Sequence, residues 1–518
     1  MAFWQVDCLN DIVGNFIRHA CGAFGETDHM NKELPNYINH LFDCITIGSK
    51  YKIDNGTVTF TNRWYDTVIN DIYNYYGREM NRSSVFRTGT YSKSNPAMVD
   101  KWNANMSSQN KVLEVPHVSW WQIGDKAVAM TETPIGVVID TDNMVQKGYV
   151  PYNDNNLNVP DTPQYMMTNN PAHEQTEPDG TLWSTIAVQK WETPSYLKQW
   201  RVIYKVNLLG KREVVGTYHY EDADLSKCRP NLPYPNMDAR FGYVHSFAMT
   251  ANFVILPETA YMFDPCAYTH YDNHKPFFPQ GYSYEPNAFS RVLLMRKSDG
   301  IVFAKIPIQP MFITHQLGAY EDDTFIYMDM LTYNDSSVYD KHTYVDDMLS
   351  DNVYYTSVTR ITINKSSFTL SSIRSLRAAN KPQEAFEMSN INYAYYGKKY
   401  TYAYMVRNFV RYEQNAITKL NVDTNEETEY VLPEGMFAQE PQFVPRPNAV
   451  HEDDGVIISQ GIDARKQKGF LVIIDARTMT LIAHVTAPDL SMFGLHNRLF
   501  PLNMGKTNPD VGQHEIIG

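Results

Sequence analysis

From Tyr51 onward, hydrophobic and polar positions alternate in short runs, each closed by turn chemistry. In KIDNGTVTFTNRWY, Asn55-Gly56 separates two β-rich runs, the strongest short-range signal for a hairpin. IGDKAVAMTETPIGVVIDTD, RKSDGIVFAKIPI, TKLNVDTNEETEYVL and EDDGVIISQG repeat the pattern. KQKGFLVIIDARTMTLIAHVTAP closes the series with strand, turn and strand. Many short strands at even spacing predict a propeller, a barrel or a sandwich. Helical periodicity is rare. It is best over residues 64–76 and 96–109, and residues 1–24 read as a short helix or lead-in. The Pro-, Tyr- and His-rich stretch 264–287 reads as an excursion loop. No Gly/Pro/Ser-rich linker divides the chain, so residues 1–518 read as a single domain.

Four histidines stand out against this background. His173 precedes Pro178-Asp179-Gly180 and a strand, His245 precedes the apolar run Phe253–Leu256, and His315 precedes Glu321-Asp322-Asp323 and a strand. His496 lies near the end in MFGLHNRLFP. The first three are 72 and 70 residues apart, a spacing that suits one histidine per blade of a propeller, each on an innermost strand facing the axis. One histidine before a strand is more often an ordinary turn or core residue; the repeated layout carries the signal. Four imidazoles without thiolate or carboxylate ligands suit iron, copper, nickel or zinc. His270 and His274 form an i, i+4 pair, but Pro265 and Pro276 argue for a loop there rather than a metal-binding helix. Carboxylate-rich turns such as Glu452-Asp453-Asp454-Gly455 read as solvated hairpin tips.

Composition narrows the classes further. The formal net charge of −13 argues against nucleic acid and against a polybasic membrane anchor. Thirty-six Tyr, 24 Phe and 8 Trp favour strands and an apolar cavity. Five scattered cysteines (Cys8, Cys21, Cys44, Cys228, Cys266), with no CxxC pair, read as free thiols in a reducing, cytoplasmic setting. No secretory leader and no apolar run of membrane-spanning length is evident. There is no G-x-S-x-G elbow, P-loop or G-x-G-x-x-G.

GDKAVAMTET, AHEQTEPDGT, YVHSFAMTANFVI, THQLGAYEDD, INYAYYGKKYTYAY, EPQFVPRPNAVHEDDGVIIS, LVIIDARTM and GLHNRLFP together resemble the carotenoid cleavage oxygenases. The animal branch, with β-carotene oxygenases and the retinoid isomerohydrolase, is the nearest likeness, and it runs nearly end to end. The resemblance implies an all-β, seven-bladed β-propeller with a loop-and-helix dome over an axial metal. It implies Fe(II) held by His173, His245, His315 and His496, with Glu132, Glu387 and Glu440 supporting three of them and none supporting His173. Three carboxylates would offset the buried +2 charge and fix the tautomers of their histidines. Four ligands on an octahedral ion leave two positions open. The implied substrates are a carotenoid or apocarotenoid and O2, the products aldehydes or ketones such as retinal, and membrane contact peripheral. A retinoid isomerohydrolase, or a propeller that binds without turnover, are the alternatives. Trp120 and Trp121 could line an apolar tunnel, with core packing the simpler expectation.

The chain departs from the pattern at three places. The usual Asn-Gly-Pro-Gly is His19-Ala20-Cys21-Gly22, the Pro-Asp-Pro-Cys-Lys block expected between Lys101 and Val118 is missing, and the Asn three residues after the third histidine is Gly318. Phe263-Asp264-Pro265-Cys266 is similar to the missing block but out of register.

Overall fold

The structure is a computed structural model that describes residues 12–23, 41, 44–67, 116–150, 166–230, 232–267, 281–340, 355–377, 384–408 and 415–504. Alternating strands and turns become seven antiparallel sheets of four or more strands among these residues, arranged as the blades of a β-propeller. The Asn55-Gly56 turn has both residues at positive φ, 49° and 70°, the geometry that lets a two-residue hairpin follow the strand twist.

The first blade is built from both ends of the chain. Gly14–Ala23 pairs with Ile45–Asp54 on one side and with Gly494–Phe500 on the other, so the C-terminal strand is innermost and closes the ring. Residues 14–23 are thus a strand, not the helix or lead-in their sequence suggests; their side chains from Gly14 to Cys21 are buried, as a two-sided inner strand requires. Likewise Trp64 ends the strand Thr57–Trp64, and the rest of the helix expected over 64–76 lies outside the described residues, as does that over 96–109.

The second blade starts at Ser119–Ile123, the third at Met166–Thr168 with Gln175–Thr176, and the fourth at Ala248–Met249. The fifth starts at Phe312–Glu321, the sixth at Phe386–Ile391, and the seventh at Met436–Ala438 with Gln442–Pro445. Burial falls outward through each blade. Phe253–Glu258, second in its sheet, is wholly buried, whereas the outermost strand Thr369–Ser375 is largely open. Part of the expected excursion loop is ordered β-structure: Tyr282–Tyr284 pairs with Tyr261–Phe263, and residues 268–280, with His270 and His274, lie outside the described residues.

Apolar side chains collect between blades. Ile17, Phe500 and Trp120 join the first two; Trp121, Leu182 and Val202 the next pair; Trp183, Ile203 and Val254 the third and fourth. Ile255 with Ile326, Leu317 with Met405, Tyr404 with Ile457, and Phe16 with Leu471 mark the remaining four seams. Trp120 and Trp121 are therefore core residues, and Trp121 Nε1 donates to the Ala172 carbonyl at 2.8 Å. Stability thus resides in the seams, and the axis is left free to carry polar side chains.

The cysteines are not free. Cys21 is bonded to Cys44 and Cys228 to Cys266, which corrects the reading as thiols; scattered spacing hid the pairs because the partners meet only through the fold. Cys8 lies outside the described residues. Among the described residues no helix is long and apolar enough to cross a membrane.

Candidate metal centre

His173, His245 and His315 come from the inner edges of the third, fourth and fifth blades, and His496 from the closing strand. His315 and His496 lie within inner strands, while His173 and His245 precede very short ones. The four rings meet edge to face, with centroids 4.3–4.9 Å apart for the pairs in contact. One ligand atom from each lies within 4.8 Å of the others.

Local irregularity aims these side chains. The pairing of Phe312–Glu321 shifts register between Ile313 and Gln316, the step that contains His315, and again between Gln316 and Gly318 just after it. The sixth blade shifts between Glu387 and Asn390, and Met388 within that step has φ of 55°. A non-glycine residue there is strained, and it lets the Met388 amide donate to the Glu387 carboxylate at 3.2 Å.

Each of three histidines has a carboxylate behind it. His245 Nδ1 donates to Glu132 at 2.6 Å, His315 Nδ1 to Glu387 at 2.5 Å, and His496 Nδ1 to Glu440 at 2.7 Å. All three glutamates are buried. The Tyr243 hydroxyl also donates to Glu132, and the Tyr333 hydroxyl to Glu387. The Tyr339 hydroxyl lies 2.8 Å from His245 Nδ1. Sequence reasoning missed these tyrosines. Tyr243 had a signal, lying two residues before His245, but Tyr339 reaches the site only through the fold. His173 has no such carboxylate among the described residues; the neighbouring Glu174 instead accepts from Arg498 at 3.0 Å.

These bonds decide what faces the axis. An imidazole that donates from Nδ1 carries a lone pair on Nε2. Yet Nε2 of His315 lies 3.1 Å from Nε2 of both His245 and His496. Three lone pairs pointed at one another repel unless a cation lies among them. His173 Nε2 is buried and has no hydrogen-bond partner, as a fourth donor would be. Burial, then the neighbouring imidazoles, holds His173 and His245 well below the usual histidine range, so both are neutral as ligands must be. From the protein's own groups alone, burial pushes Glu132 up to about 8 against the opposing Tyr243 hydrogen bond; for Glu387 burial acts the same way, but His315 and the hydrogen bonds it receives prevail and lower it. A +2 ion beside these histidines favours the ionised form of all three glutamates. The donor set, four neutral nitrogens backed by three carboxylates, fits a divalent transition metal.

The family model described as retinal pigment epithelial membrane protein (RPE65) matches residues 10–501. The chain belongs to this family, the carotenoid oxygenases. It is 26% identical over 519 residues to the chloroplastic carotenoid cleavage dioxygenase 8 of Arabidopsis thaliana, covering 94% of this chain and 81% of that one. It is 23% identical to the carotenoid isomerooxygenase of Galleria mellonella, covering 89% and 87%, and 24% identical to the β,β-carotene 15,15'-dioxygenase of Gallus gallus, covering 90% of each. Among solved structures, cobalt-substituted Synechocystis ACO aligns with a TM-score of 0.73 at 18% identity over 96% of each chain. An ACO/RPE65 chimera aligns equally well, at 0.73 and 19% identity over 97% of this chain and 95% of that one.

Where this carotenoid oxygenase departs from its family, packing gives a reason in one case. A Cβ on Gly318 would sit 2.7 Å from the Tyr400 ring, so no asparagine fits there. In the altered N-terminal motif the retained Gly22 is required, because a Cβ there would meet Trp64 at 2.4 Å. Cys266, in the string similar to the missing block, is held by Cys228.

Proposed function

We propose that this chain is a non-haem Fe(II) dioxygenase that cleaves a conjugated C=C bond of a carotenoid or apocarotenoid, giving aldehyde or ketone products such as retinal. The observation that carries the metal is the convergence of Nε2 lone pairs, with His173, His245, His315 and His496 as ligands and Glu132, Glu387 and Glu440 behind three of them. Family membership and relatives named for carotenoid cleavage support the substrate class. When bound, iron would supply the activation of O2. The protein's own part is to hold four neutral imidazoles in place, offset the charge with three carboxylates, and surround the centre with aromatic side chains such as Tyr243, Phe312 and Tyr339. A polyene needs neither a general acid nor a general base to react with activated oxygen. Peripheral contact with a membrane, without a nucleic-acid partner, belongs to the same proposal; so does a cytoplasmic location, now without the support of free thiols, because both cysteine pairs are bonded.

Aerobic incubation of iron-loaded protein with β-carotene, an apocarotenoid or a retinyl ester, followed by product analysis, is the test. Aldehyde products from either polyene are expected. Isomerised retinol from the ester alone would favour the isomerohydrolase alternative, and retention of unchanged ligand a binding protein.

A further inference from the structure

A second cluster of metal-type donors lies at the ring-closing seam. Cys21, Cys44 and His117 are all buried, and one ligand atom from each lies within 4.8 Å of the other two. His19 stands two residues before Cys21 and therefore on the same face of its strand. Its ring is fully buried and stacked on Trp120 at 3.8 Å. Neither of its nitrogens makes a hydrogen bond of normal geometry, although the Ser119 backbone is close enough to interact. A cystine that only staples two strands has no need of imidazoles beside it.

We propose that Cys21, Cys44 and His117 form a second metal site, created when their disulfide is reduced and suited to a borderline-soft divalent ion such as zinc. Two thiols of the glutathione class supply the electrons and protons: they leave as one disulfide, and Cys21 and Cys44 become two thiols. On binding Zn(II) both thiols release their protons to solvent. Two thiolates, a neutral imidazole and a +2 ion sum to zero charge, which a buried site tolerates. Cys2His leaves one position of a tetrahedral ion for water. A disulfide of the glutathione class reverses the exchange: it takes up the two electrons and two protons to leave as two thiols, the cystine re-forms, and the metal, having lost both thiolates, is released.

The location gives the site a consequence. The Cys21 amide donates to the Phe493 carbonyl at 3.3 Å, and Ala20 pairs with Gly494. Cys21 and Cys44 pack against Leu495, the residue before His496. Metal or disulfide at this seam therefore sets the packing of the strand that carries one of the four axial histidines.

The inference is independent of the reaction proposed above and is tested on the full iron-loaded chain. Protein is treated with a phosphine reductant or left oxidised, equilibrated with zinc, desalted and analysed for metals. Reduced protein is expected to retain one more zinc per chain than oxidised protein. Cys44→Ser should abolish the difference, Cys228→Ser should preserve it, and His117→Gln should weaken the extra zinc about 10–100-fold. Cobalt in place of zinc should give a thiolate charge-transfer absorption in reduced protein, a band that four histidines cannot produce. Equal zinc in the two redox states, retention of the extra zinc by Cys44→Ser, or absence of the thiolate band overturns the proposal. Should Cys44→Ser fail to fold, the wild-type redox comparison and His117→Gln decide it.

Discussion

Ser246 Oγ donates to the Thr314 carbonyl at 2.6 Å, tying the residue after His245 to the residue before His315 across two blades. The Gln316 amide in turn donates to the same Ser246 oxygen at 3.0 Å. One hydroxyl thus fixes the separation of two axial histidines that come from different sheets. Ser246→Ala keeps the seam apolar but removes both bonds. We expect a folded protein whose iron affinity falls about tenfold, measured by competition with a chelator. Unchanged affinity would show that blade packing alone sets the spacing.

His245→Ala and His315→Ala are expected to abolish iron binding and turnover while preserving the β-sheet circular dichroism. The apolar clusters lie between blades and include none of the four axial histidines, so folding does not depend on the metal. Full iron occupancy in either variant would falsify the ligand assignment.

The sequence showed the strands, the four histidines and, through the family resemblance, the glutamates, because hairpin turns and repeated His-turn-strand layouts are local patterns. It misplaced what depends on long-range contact. Gly14–Ala23 lies in a strand because the chain's far end pairs with it. Cys21 meets Cys44 through the register of adjacent strands, and Tyr339 reaches His245 from 94 residues away. Gly318 is a departure from family pattern that only the position of Tyr400 explains.

That contact yields a prediction of its own. The Tyr400 hydroxyl donates to Asp329 at 2.5 Å, and Asp329 accepts two bonds from the buried Arg360 at 2.7 and 2.6 Å. The ring therefore has no room to retreat. Gly318→Ala should destabilise the protein by about 1–3 kcal/mol through overpacking, read from denaturant unfolding. A neutral effect would mean that the backbone beyond His315 yields easily.

A carotenoid partitions into lipid, so an enzyme acting on one meets it at a membrane surface. Unmodified protein is expected to float with neutral liposomes. Acylation at Cys266 is not required, since Cys228 already holds that sulfur. Complete failure to associate would count against peripheral docking.

Glu387→Gln separates charge from hydrogen bonding at the axis. Gln keeps one acceptor oxygen for His315 Nδ1, while its NH2 takes the place of the oxygen facing Tyr333 and can donate to that hydroxyl, so the fold should persist. The centre would lose one of the three negative charges that offset a +2 ion, and His315 would become a poorer donor. Iron affinity or turnover should fall about 10–100-fold. Glu452→Gln makes an instructive contrast, because Glu452 is not the solvated hairpin tip its sequence suggests. Its carboxylate accepts from the Thr401 and Tyr402 amides at 2.7–2.9 Å, and its backbone carbonyl from Asn392 at 2.9 Å, anchoring the edge of the sixth blade. Substituting it weakens charge-assisted bonds and should cost about 1 kcal/mol of stability. Iron content should stay at the wild-type level. Measuring unfolding and metal content for both variants gives opposite patterns if the assignment holds: Glu387→Gln moves metal, Glu452→Gln moves stability. Should both move only stability, Glu387 is a structural carboxylate and the charge on it does not serve the metal.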